Sequence, residues 1–170
     1  MQSWQIIGQT LAAEFSDIPT LADLTRITLR LLVAGMLGGL LGYERERKGK
    51  SAGLRTHMLV AIGAALFVLI SLQAGADSES DAMSRVLQGI VAGIGFLGAG
   101  TIFRGNEGGL VSGITTAASL LMVAVIGIAA GVHAHLLAIG ATTLTLLVLL
   151  LLGWIERRSG ASGPAPPRRD

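Results

Sequence analysis

Five long stretches of apolar residues, separated by short polar segments, occupy most of the chain. As α-helices rising about 1.5 Å per residue, stretches of this length cross a hydrocarbon layer of about 30 Å. The pattern predicts membrane-spanning helices at about 24–43, 56–75, 86–104, 111–131 and 134–155. We therefore expect an all-α integral membrane protein, a bundle of about five transmembrane helices whose domain covers residues 24–155.

The two terminal segments differ from these spans. Residues 1–23 lack the basic start and the small-residue cleavage site of a removable signal peptide. Their apolar side chains share one face of a helix that ends before Pro19, which suits a helix lying at the membrane interface. These side chains are Trp4, Ile7, Leu11, Ala12 and Phe15. Residues 156–170 are polar and rich in Pro and Gly, so we expect a disordered cytoplasmic tail.

Composition supports a membrane protein, because 51% of the 170 residues are hydrophobic and only 14% are charged. The chain contains no cysteine, so disulfides and thiolate metal ligands play no part. The sequence offers no nucleophile with a base and an orienting group, and no set of metal ligands. We therefore expect neither an enzyme nor a bound cofactor or metal ion.

The basic residues lie at two places on the same side of a chain that crosses the membrane five times. They are Arg45, Arg47, Lys48, Lys50 and Arg55 in the first loop, and Arg157, Arg158, Arg168 and Arg169 in the tail. Lys and Arg near helix ends stay in the cytoplasm, so we place the N-terminus outside the membrane and the C-terminus in the cytoplasm. We expect the basic loop to contact anionic membrane lipids and expect no nucleic acid partner.

The stretch "AGIGFLGAG" matches G-x-G-x-x-G at Gly93, Gly95 and Gly98. A dinucleotide-binding loop with this spacing follows a strand and has an acidic residue about 20 positions further on. Here the glycines lie inside an apolar stretch, and Gly113 occupies the acidic position. A different explanation fits better, because glycine lets membrane helices approach closely enough for dispersion contacts to hold them together.

Glycines recur at four-residue spacing along the first and third predicted spans, which predicts glycine-rich close packing. The helix-packing candidates are Gly35, Gly39, Gly42, Gly89, Gly93, Gly95, Gly98 and Gly100. Small residues lie on more than one side of the third span, so we expect it to be the central helix. The fifth span is rich in leucine, which suits contact with lipid. Since the small-residue faces outnumber what five helices can bury, we expect a homo-oligomer, in the simplest case a dimer.

Three stretches of the sequence, taken together, resemble a known family of membrane proteins. They are "RLLVAGMLGGLLGYERERKGKSAGLRTH", "GIVAGIGFLGAGTIF" and "GLVSGITTAASLLMVAVIGIAAG", in this order between Arg30 and Gly131. They are similar to the transmembrane domain of the MgtC/SapB family, in which an "ERE"-type sequence ends the first helix, "AGLRTH" opens the second and "GxGFLGAG" fills the third.

This chain departs from the family pattern at two places. Members commonly carry Trp shortly after "TAA" in the fourth helix, where this chain has Leu120 and Leu121, and many carry Asn where Thr115 stands. The roles of those side chains in virulence-associated members therefore do not transfer. Many relatives also continue into a cytoplasmic C-terminal domain, whereas we expect only a tail in this chain.

The resemblance implies a regulatory protein of the inner membrane, active in adaptation to low magnesium and in survival inside host cells. It also implies binding to other membrane proteins, with the F-type ATP synthase as the partner of some members. Transport of magnesium or another small solute stays open as the alternative. Against transport, all Asp and Glu residues lie near helix ends or in loops, whereas a magnesium path needs oxygen ligands along its length.

Polar residues at the predicted cytoplasmic face form the candidate site. Glu44 ends the first span and Arg55 begins the second, so we expect these opposite charges to pair. The full predicted cluster is Glu44, Arg55, His57, Thr101, Asn106, Thr115 and Thr116. Simpler explanations stay open: the basic loop is solvated and only sets topology, Thr56 caps the second span, His57 bonds a loop carbonyl, and each hydroxyl bonds a carbonyl one turn back.

On the other side of the membrane, Arg30 lies about one turn inside the first span and is a candidate buried charge. Either its long side chain extends outward to the interface, or it turns inward and pairs with a carboxylate such as Asp23. His133 and His135 form an H-x-H pair, for which interfacial histidines are a better explanation than a metal site. The "DSESD" acids likewise fit a solvated loop better than a magnesium site.

Overall fold

The computed structural model describes residues 2–14, 20–74, 81–104 and 112–158. Within these ranges all the regular structure is helical. The six helices are α1 (Gln2–Glu14), α2 (Leu21–Arg47), α3 (Leu54–Gln73), α4 (Asp81–Arg104), α5 (Ile114–Gly131) and α6 (His135–Arg158). The expectation of an all-α membrane bundle is confirmed, because α2 to α6 are five helices long and apolar enough to span a bilayer.

Helix α2 extends further at both ends than the apolar pattern alone predicts. At its start the Thr20 side chain accepts a hydrogen bond from the backbone N–H of Asp23, an N-cap that moves the beginning of the helix to Leu21. At its end the charged "ERER" sequence stays helical as far as Arg47. Glu and Arg are good helix formers, so leaving the apolar stretch does not end the helix.

The N-terminal helix α1 stands apart from the bundle, since it contacts none of the other five described helices. Its apolar side chains Ile6, Ile7 and Leu11 are exposed. This arrangement suits the predicted interfacial helix, and its placement at the membrane surface stays a prediction. Three of the residues on the predicted apolar face, Trp4, Ala12 and Phe15, lie outside the side chains that the structure describes.

The central helix is α5, and the expectation that the third span, α4, would be central is wrong. Helix α5 contacts α2, α3, α4 and α6, whereas α4 contacts only α3 and α5 within the described bundle. In the most apolar part of each helix, 56% of the α5 residues are buried against 11% in α4. Small residues on several faces therefore do not by themselves make a helix central, because some of those faces of α4 are left uncovered.

The tightest packing joins α2, α3 and α5. A Cβ atom on Gly38 would lie 2.7 Å from the Cβ of Ala61, and one on Gly42 would lie 2.7 Å from the Cα of Leu54. A Cβ on Gly127 would overlap the backbone carbonyl of Ala61. At these three positions α3 occupies the space that a side chain would need, which is the close approach expected for membrane helices.

Helix α6 lies at the edge of the bundle, against α5 and α2. Leucines cover its outer surface, and Leu136, Leu144 and Leu151 are largely exposed. Exposed leucines on a helix of this length are suited to lipid contact, as expected for the fifth span. Trp154 near its end is also exposed and stacks with Arg158, whose guanidinium carbon is 4.7 Å from the ring centroid.

Candidate functional site at the basic end of the bundle

We refer to the end of the bundle that carries the α2–α3 loop as the basic end. Here Glu44, in the last turns of α2, is buried and contacts two cations of the same helix region. Its Oε2 accepts a hydrogen bond from Nε of Arg45, and its Oε1 lies beside Nζ of Lys48. Arg45 is itself buried, with 3% of its side chain exposed. The carboxylate therefore compensates two positive charges at the edge of the apolar bundle, where an unpaired charge would be costly.

The predicted pairing of Glu44 with Arg55 is wrong. Arg55 is exposed, and the ion pairs of Glu44 are made with Arg45 and Lys48 instead. The i,i+4 spacing of Glu44 and Lys48 along one helix places them together without any help from the neighbouring helix. Glu46 rather than Glu44 reaches α3, because its Oε2 accepts a hydrogen bond from the backbone N–H of Leu54 at 2.8 Å. That contact ties the end of α2 to the start of α3.

His57 is completely buried and links α3 to α5. Its Nδ1 lies 2.9 Å from the carbonyl oxygen of Gly53, and its Nε2 lies 3.1 Å from Oγ of Ser119. The Ser119 hydroxyl is in turn 2.8 Å from the carbonyl oxygen of Thr116. These contacts make a continuous polar chain through the region where α2, α3 and α5 are closely packed.

When His57 is neutral, the three contacts of this polar chain share only two protons, one on the imidazole and one on the Ser119 hydroxyl. A carbonyl oxygen only accepts, so Nδ1 of His57 donates to Gly53. A neutral imidazole then accepts at Nε2, which takes the single Ser119 hydroxyl proton away from the Thr116 carbonyl. If Ser119 donates to Thr116 instead, Nε2 must carry a second proton to keep its contact. Which acceptor the Ser119 hydroxyl donates to, His57 or the Thr116 carbonyl, therefore depends on whether His57 is neutral or carries a second proton.

The other predicted polar residues do not converge on one point. Thr101 donates to the carbonyl of Gly98, 2.8 Å away on its own helix, which is the simpler explanation that the sequence left open. Thr116 is buried beside the His57 chain, whereas Thr115 is exposed. Asn106 lies outside the described residues. Of the predicted cluster, the structure therefore brings together His57 and Thr116, through Ser119.

Arg30 turns inward, as one of the two alternatives predicted, but its partner is a backbone carbonyl. Its Nη1 donates to the oxygen of Gly131 at 3.0 Å, across the bundle at the end opposite the basic end. Gly131 is the last residue of α5, where carbonyls lack helical partners and the helix dipole is negative. The expected acidic candidate, Asp23, pairs with Arg26 at 3.1 Å.

The two histidines of the H-x-H pair lie at the turn between α5 and α6. Their rings pack edge to face with centroids 4.9 Å apart. His133 adopts a positive φ of 69°, in the left-handed region, which allows the short connection. Within the part of the chain that the structure describes, no group of three or more His, Asp or Glu residues is placed to hold a metal ion.

The predicted packing glycines divide into two sets. A Cβ on Gly35, Gly39, Gly42 or Gly98 would meet a neighbouring helix within 4 Å. A Cβ on Gly89, Gly93, Gly95 or Gly100 would meet nothing within that distance. Within a single chain, therefore, the second set does not pack, because α4 meets α5 along another of its faces.

Two of the four open glycines of α4, Gly89 and Gly93, border an apolar groove between α3 and α4, with a volume of about 670 Å³. Its lining residues are Leu59, Val60, Gly63, Ala64, Phe67, Val86, Gly89, Ile90, Gly93, Ile94 and Leu97. Buried Ala64 and Ile94 form its floor, and exposed Phe67 and Leu97 border its opening. We refer to this surface as the α3–α4 groove.

Sequence reasoning missed three residues that this site uses. Lys48 is detectable from its position four residues after Glu44, and Arg45 from its place in the "ERER" sequence at the end of an apolar helix. Ser119 is a lone hydroxyl within an apolar stretch, three residues after Thr116. Only the packing of α3 against α5 shows that Ser119 faces His57, and no pattern within one helix carries that information.

The fold and site define a class: a multi-pass membrane protein whose helices pack through glycine and whose charges collect at one end of the bundle. The chain matches the family model described as the MgtC family over residues 31–158, and it belongs to this family. No solved structure matches it.

Curated relatives support the assignment. Protein SrpB of Synechococcus elongatus is 42% identical over 136 residues, covering 75% of each chain. The putative magnesium transporter YhiD of Escherichia coli is 41% identical over 126 residues, covering 71% of this chain and 58% of its own. Protein MgtC of Salmonella typhimurium is 46% identical over 124 residues, covering 73% of this chain and 51% of its own. The chain thus spans little more than half the length of the latter two.

Proposed function

We propose that this protein is a non-enzymatic regulator of the bacterial inner membrane that binds a transmembrane helix of another membrane protein in the α3–α4 groove. The observation that supports the proposal is the pair of open glycines, Gly89 and Gly93, at the edge of an apolar groove of about 670 Å³. A helix entering the groove would approach the α4 backbone at these positions, as α3 approaches α2 at Gly38 and Gly42.

Helices in lipid do not associate through apolar character alone. Lipid chains are as apolar as leucine, so an apolar surface alone gives no preference for protein over lipid. Preference comes from close backbone approach and from shape, and both need small residues beside a concave surface. The α3–α4 groove combines glycines on both walls, Gly63 on α3 and Gly89 and Gly93 on α4, with a buried floor. The leucine surface of α6 has neither feature.

Family membership suggests the setting and the partner. We propose a role in adaptation to low magnesium or to host-related stress, with the F-type ATP synthase as the membrane protein that supplies the helix. The family resemblance provides this partner, and the groove provides a place for it. Regulation by helix binding requires no catalytic residue, cofactor or metal ion.

Affinity purification of tagged protein from native membranes, followed by immunodetection of the ATP synthase membrane subunits, tests the proposal. We expect Gly93→Leu to abolish recovery of the synthase, because the side chain fills the groove. Gly140→Leu is the matched control, since Gly140 is an equally open glycine on α6, away from the groove. Recovery that is unchanged in Gly93→Leu, or absent from the unmodified protein, would contradict the proposal.

Self-association is the second part of the proposal. The Gly89 and Gly93 positions lie one helical turn apart on one face of α4, so two copies related by a twofold axis can pack α4 against α4. We expect a dimer in native membranes that Gly93→Leu dissociates and Gly140→Leu leaves intact. Crosslinking followed by gel analysis measures this, and a monomer in both membrane and mild detergent would exclude the dimer.

Magnesium transport is the second candidate function, because one relative is named a putative magnesium transporter. The experiment is magnesium uptake into proteoliposomes containing purified protein, with Glu44→Gln for comparison. We expect no protein-dependent uptake. Uptake that depends on the protein and is lost in Glu44→Gln would replace the regulator proposal with a transporter.

We further propose that the basic end faces the cytoplasm, with the N-terminus outside, because Lys and Arg accumulate at that end. The absence of cysteine from the chain makes the test direct. A single cysteine at Ser51, in the α2–α3 loop, should resist a membrane-impermeant maleimide in intact cells, and one at Val132, between α5 and α6, should react. The reverse pattern would invert the topology.

A further inference from the structure

A second cavity, distinct from the α3–α4 groove, opens at the basic end between the α2–α3 loop, the start of α5 and the end of α6. It has a volume of about 400 Å³, within the range of about 300–1,000 Å³ typical of small-molecule sites. Three cationic side chains line it: Arg45, Lys48 and Lys50. We refer to it as the basic pocket.

The charges around the basic pocket do not cancel. Glu44 contacts Arg45 and Lys48, so one carboxylate faces three cations and an excess of two positive charges is left. The neighbouring Glu46 does not line the pocket, because its carboxylate is bonded to the start of α3. A cavity with this excess, at the edge of a low-dielectric bundle, favours an anion.

The contacts of Lys48 and Arg45 place their charges at the wall of the pocket. Nζ of Lys48 forms an ion pair with Glu44 and donates a hydrogen bond to the carbonyl oxygen of Leu149 at 3.0 Å. Arg45 donates its Nε to Glu44, and only 3% of its side chain is exposed to solvent. Because Arg45 also lines the pocket, its guanidinium is a charged group buried beside a cavity that an anion can enter.

The remaining walls of the pocket indicate which chemical groups the ligand carries. Thr115, in the first turn of α5, lines the pocket, and the N-cap residue of this helix, Gly113, provides no side-chain cap. First-turn amides favour negative charge and suit phosphate oxygens. The opposite wall is apolar, formed by Val148, Leu149 and Leu152 of α6, whose outer surface faces lipid. An anionic head beside an apolar chain matches these two walls.

We propose that the basic pocket binds a phosphate group, carried by an anionic phospholipid whose acyl chain lies along α6. Arg45, Lys48 and Lys50 contact the phosphate oxygens, and Thr115 adds a hydroxyl donor. The site goes beyond the proposed helix-binding function, because it lies at another place in the bundle and takes another class of ligand. Its occupancy would bind the α2–α3 loop to α6 through a shared ligand, in addition to the Lys48 contact.

Quenching of tryptophan fluorescence by brominated lipids can detect this binding, because Trp154 is adjacent to the pocket residue Gly153. We would use delipidated full-length protein in neutral detergent, with Trp4→Phe so that Trp154 is the remaining tryptophan. Brominated phosphatidylglycerol should bind more tightly than brominated phosphatidylcholine. Equal affinity for the two lipids would overturn the proposal.

Two variants and one control test the location. Lys50→Gln should weaken phosphatidylglycerol binding about fivefold, as expected for one interfacial cation. Gly153→Leu keeps every charge but fills the pocket, since a Cβ there would already lie 3.0 Å from Nζ of Lys48, and it should also lose binding. Arg47→Gln removes one charge from the same loop at an exposed residue outside the pocket and should bind like the unmodified protein.

The same titrations distinguish a lipid phosphate from a soluble phosphate. They also include the outcomes that would contradict the proposal. Displacement of brominated phosphatidylglycerol by inorganic phosphate would assign the pocket to a soluble phosphate, and resistance to displacement would assign it to the lipid. Equal weakening by Lys50→Gln and Arg47→Gln would show that only the general charge of the loop matters. Unchanged binding in Gly153→Leu, with the variant still folded by size-exclusion chromatography, would also overturn the proposal.

Discussion

The α2–α3–α5 core and the α3–α4 groove both contain glycines, but the glycines of the core are covered by another helix and those of the groove are not. In the core, the glycines at positions 38, 42 and 127 meet another helix so closely that no side chain fits. Beside the groove, the glycines at positions 89 and 93 meet nothing in the same chain. Glycine in a membrane helix therefore marks a surface able to approach a second helix, and only the fold shows whether that surface is already covered.

The largest expected difference between the two regions comes from adding one methyl group to each. Gly127→Ala places a Cβ against the carbonyl of Ala61 and should lower the free energy of unfolding by about 1–3 kcal/mol. Gly93→Ala should cause no loss, because its surroundings are open and alanine is the better helix former. Thermal denaturation of both variants in detergent measures this. Equal destabilisation would show that the groove is closed.

The buried ion pair at the basic end should come next in size. Glu44→Gln leaves Arg45 buried without a compensating charge, and we expect a loss of about 1–3 kcal/mol in unfolding free energy. Asp23→Asn is the control, because its pair with Arg26 is exposed and such pairs contribute about 0–1 kcal/mol. If the same denaturation assay gave equal losses, the burial of Glu44 would not matter to stability.

The polar chain inside the core should give a smaller effect. Ser119→Ala removes the partner of His57 Nε2 and should cost about 0.5–1.5 kcal/mol of stability. Thr143→Ala, at an exposed hydroxyl that bonds its own helix carbonyl at 2.9 Å, should cost less. A chemical-denaturant series on both variants makes the measurement, and a larger loss from Thr143→Ala would contradict the inferred role of the His57 chain.

The smallest effect is expected at the end opposite the basic end. Arg30→Gln loses the contact with the last carbonyl of α5 and should lower stability by about 0.3–1 kcal/mol. Arg26→Gln, on the exposed side of the same helix, serves as its control. The difference should shrink at high salt, because the interaction is partly electrostatic. If Arg30→Gln lost more stability than Glu44→Gln, the expectation that the basic end contributes more to stability than the opposite end would be contradicted.

The number and type of helices were predictable, because hydropathy records how each segment meets lipid. Which helices pack against one another, and which helix is central, was not predictable. The glycine pattern suggested α4 as the central helix, yet α5 holds that place with alanines such as Ala124 and Ala130 buried against several neighbours. Which small-residue face is covered depends on the angles between helices, and these follow from all contacts together rather than from one motif.

The candidate site was predictable in residue type more than in pairing. Glu44 and His57, two of the predicted polar residues, lie at one end of the bundle and are buried there. Their partners, Lys48 and Ser119, depended on helix periodicity in the first case and on contact between helices in the second. Short-range pairs within a helix are accessible to sequence reasoning, whereas pairs between helices need the fold.

Photocrosslinking in native membranes tests most directly whether a helix of another protein chain occupies the α3–α4 groove. A photoreactive residue at Leu97, at the border of the groove, is compared with one at Leu144 on the lipid-facing surface of α6, both positions being exposed in the single chain. We expect discrete protein adducts from position 97 and only lipid adducts from position 144. Lipid adducts alone from both positions would show that no helix occupies the groove.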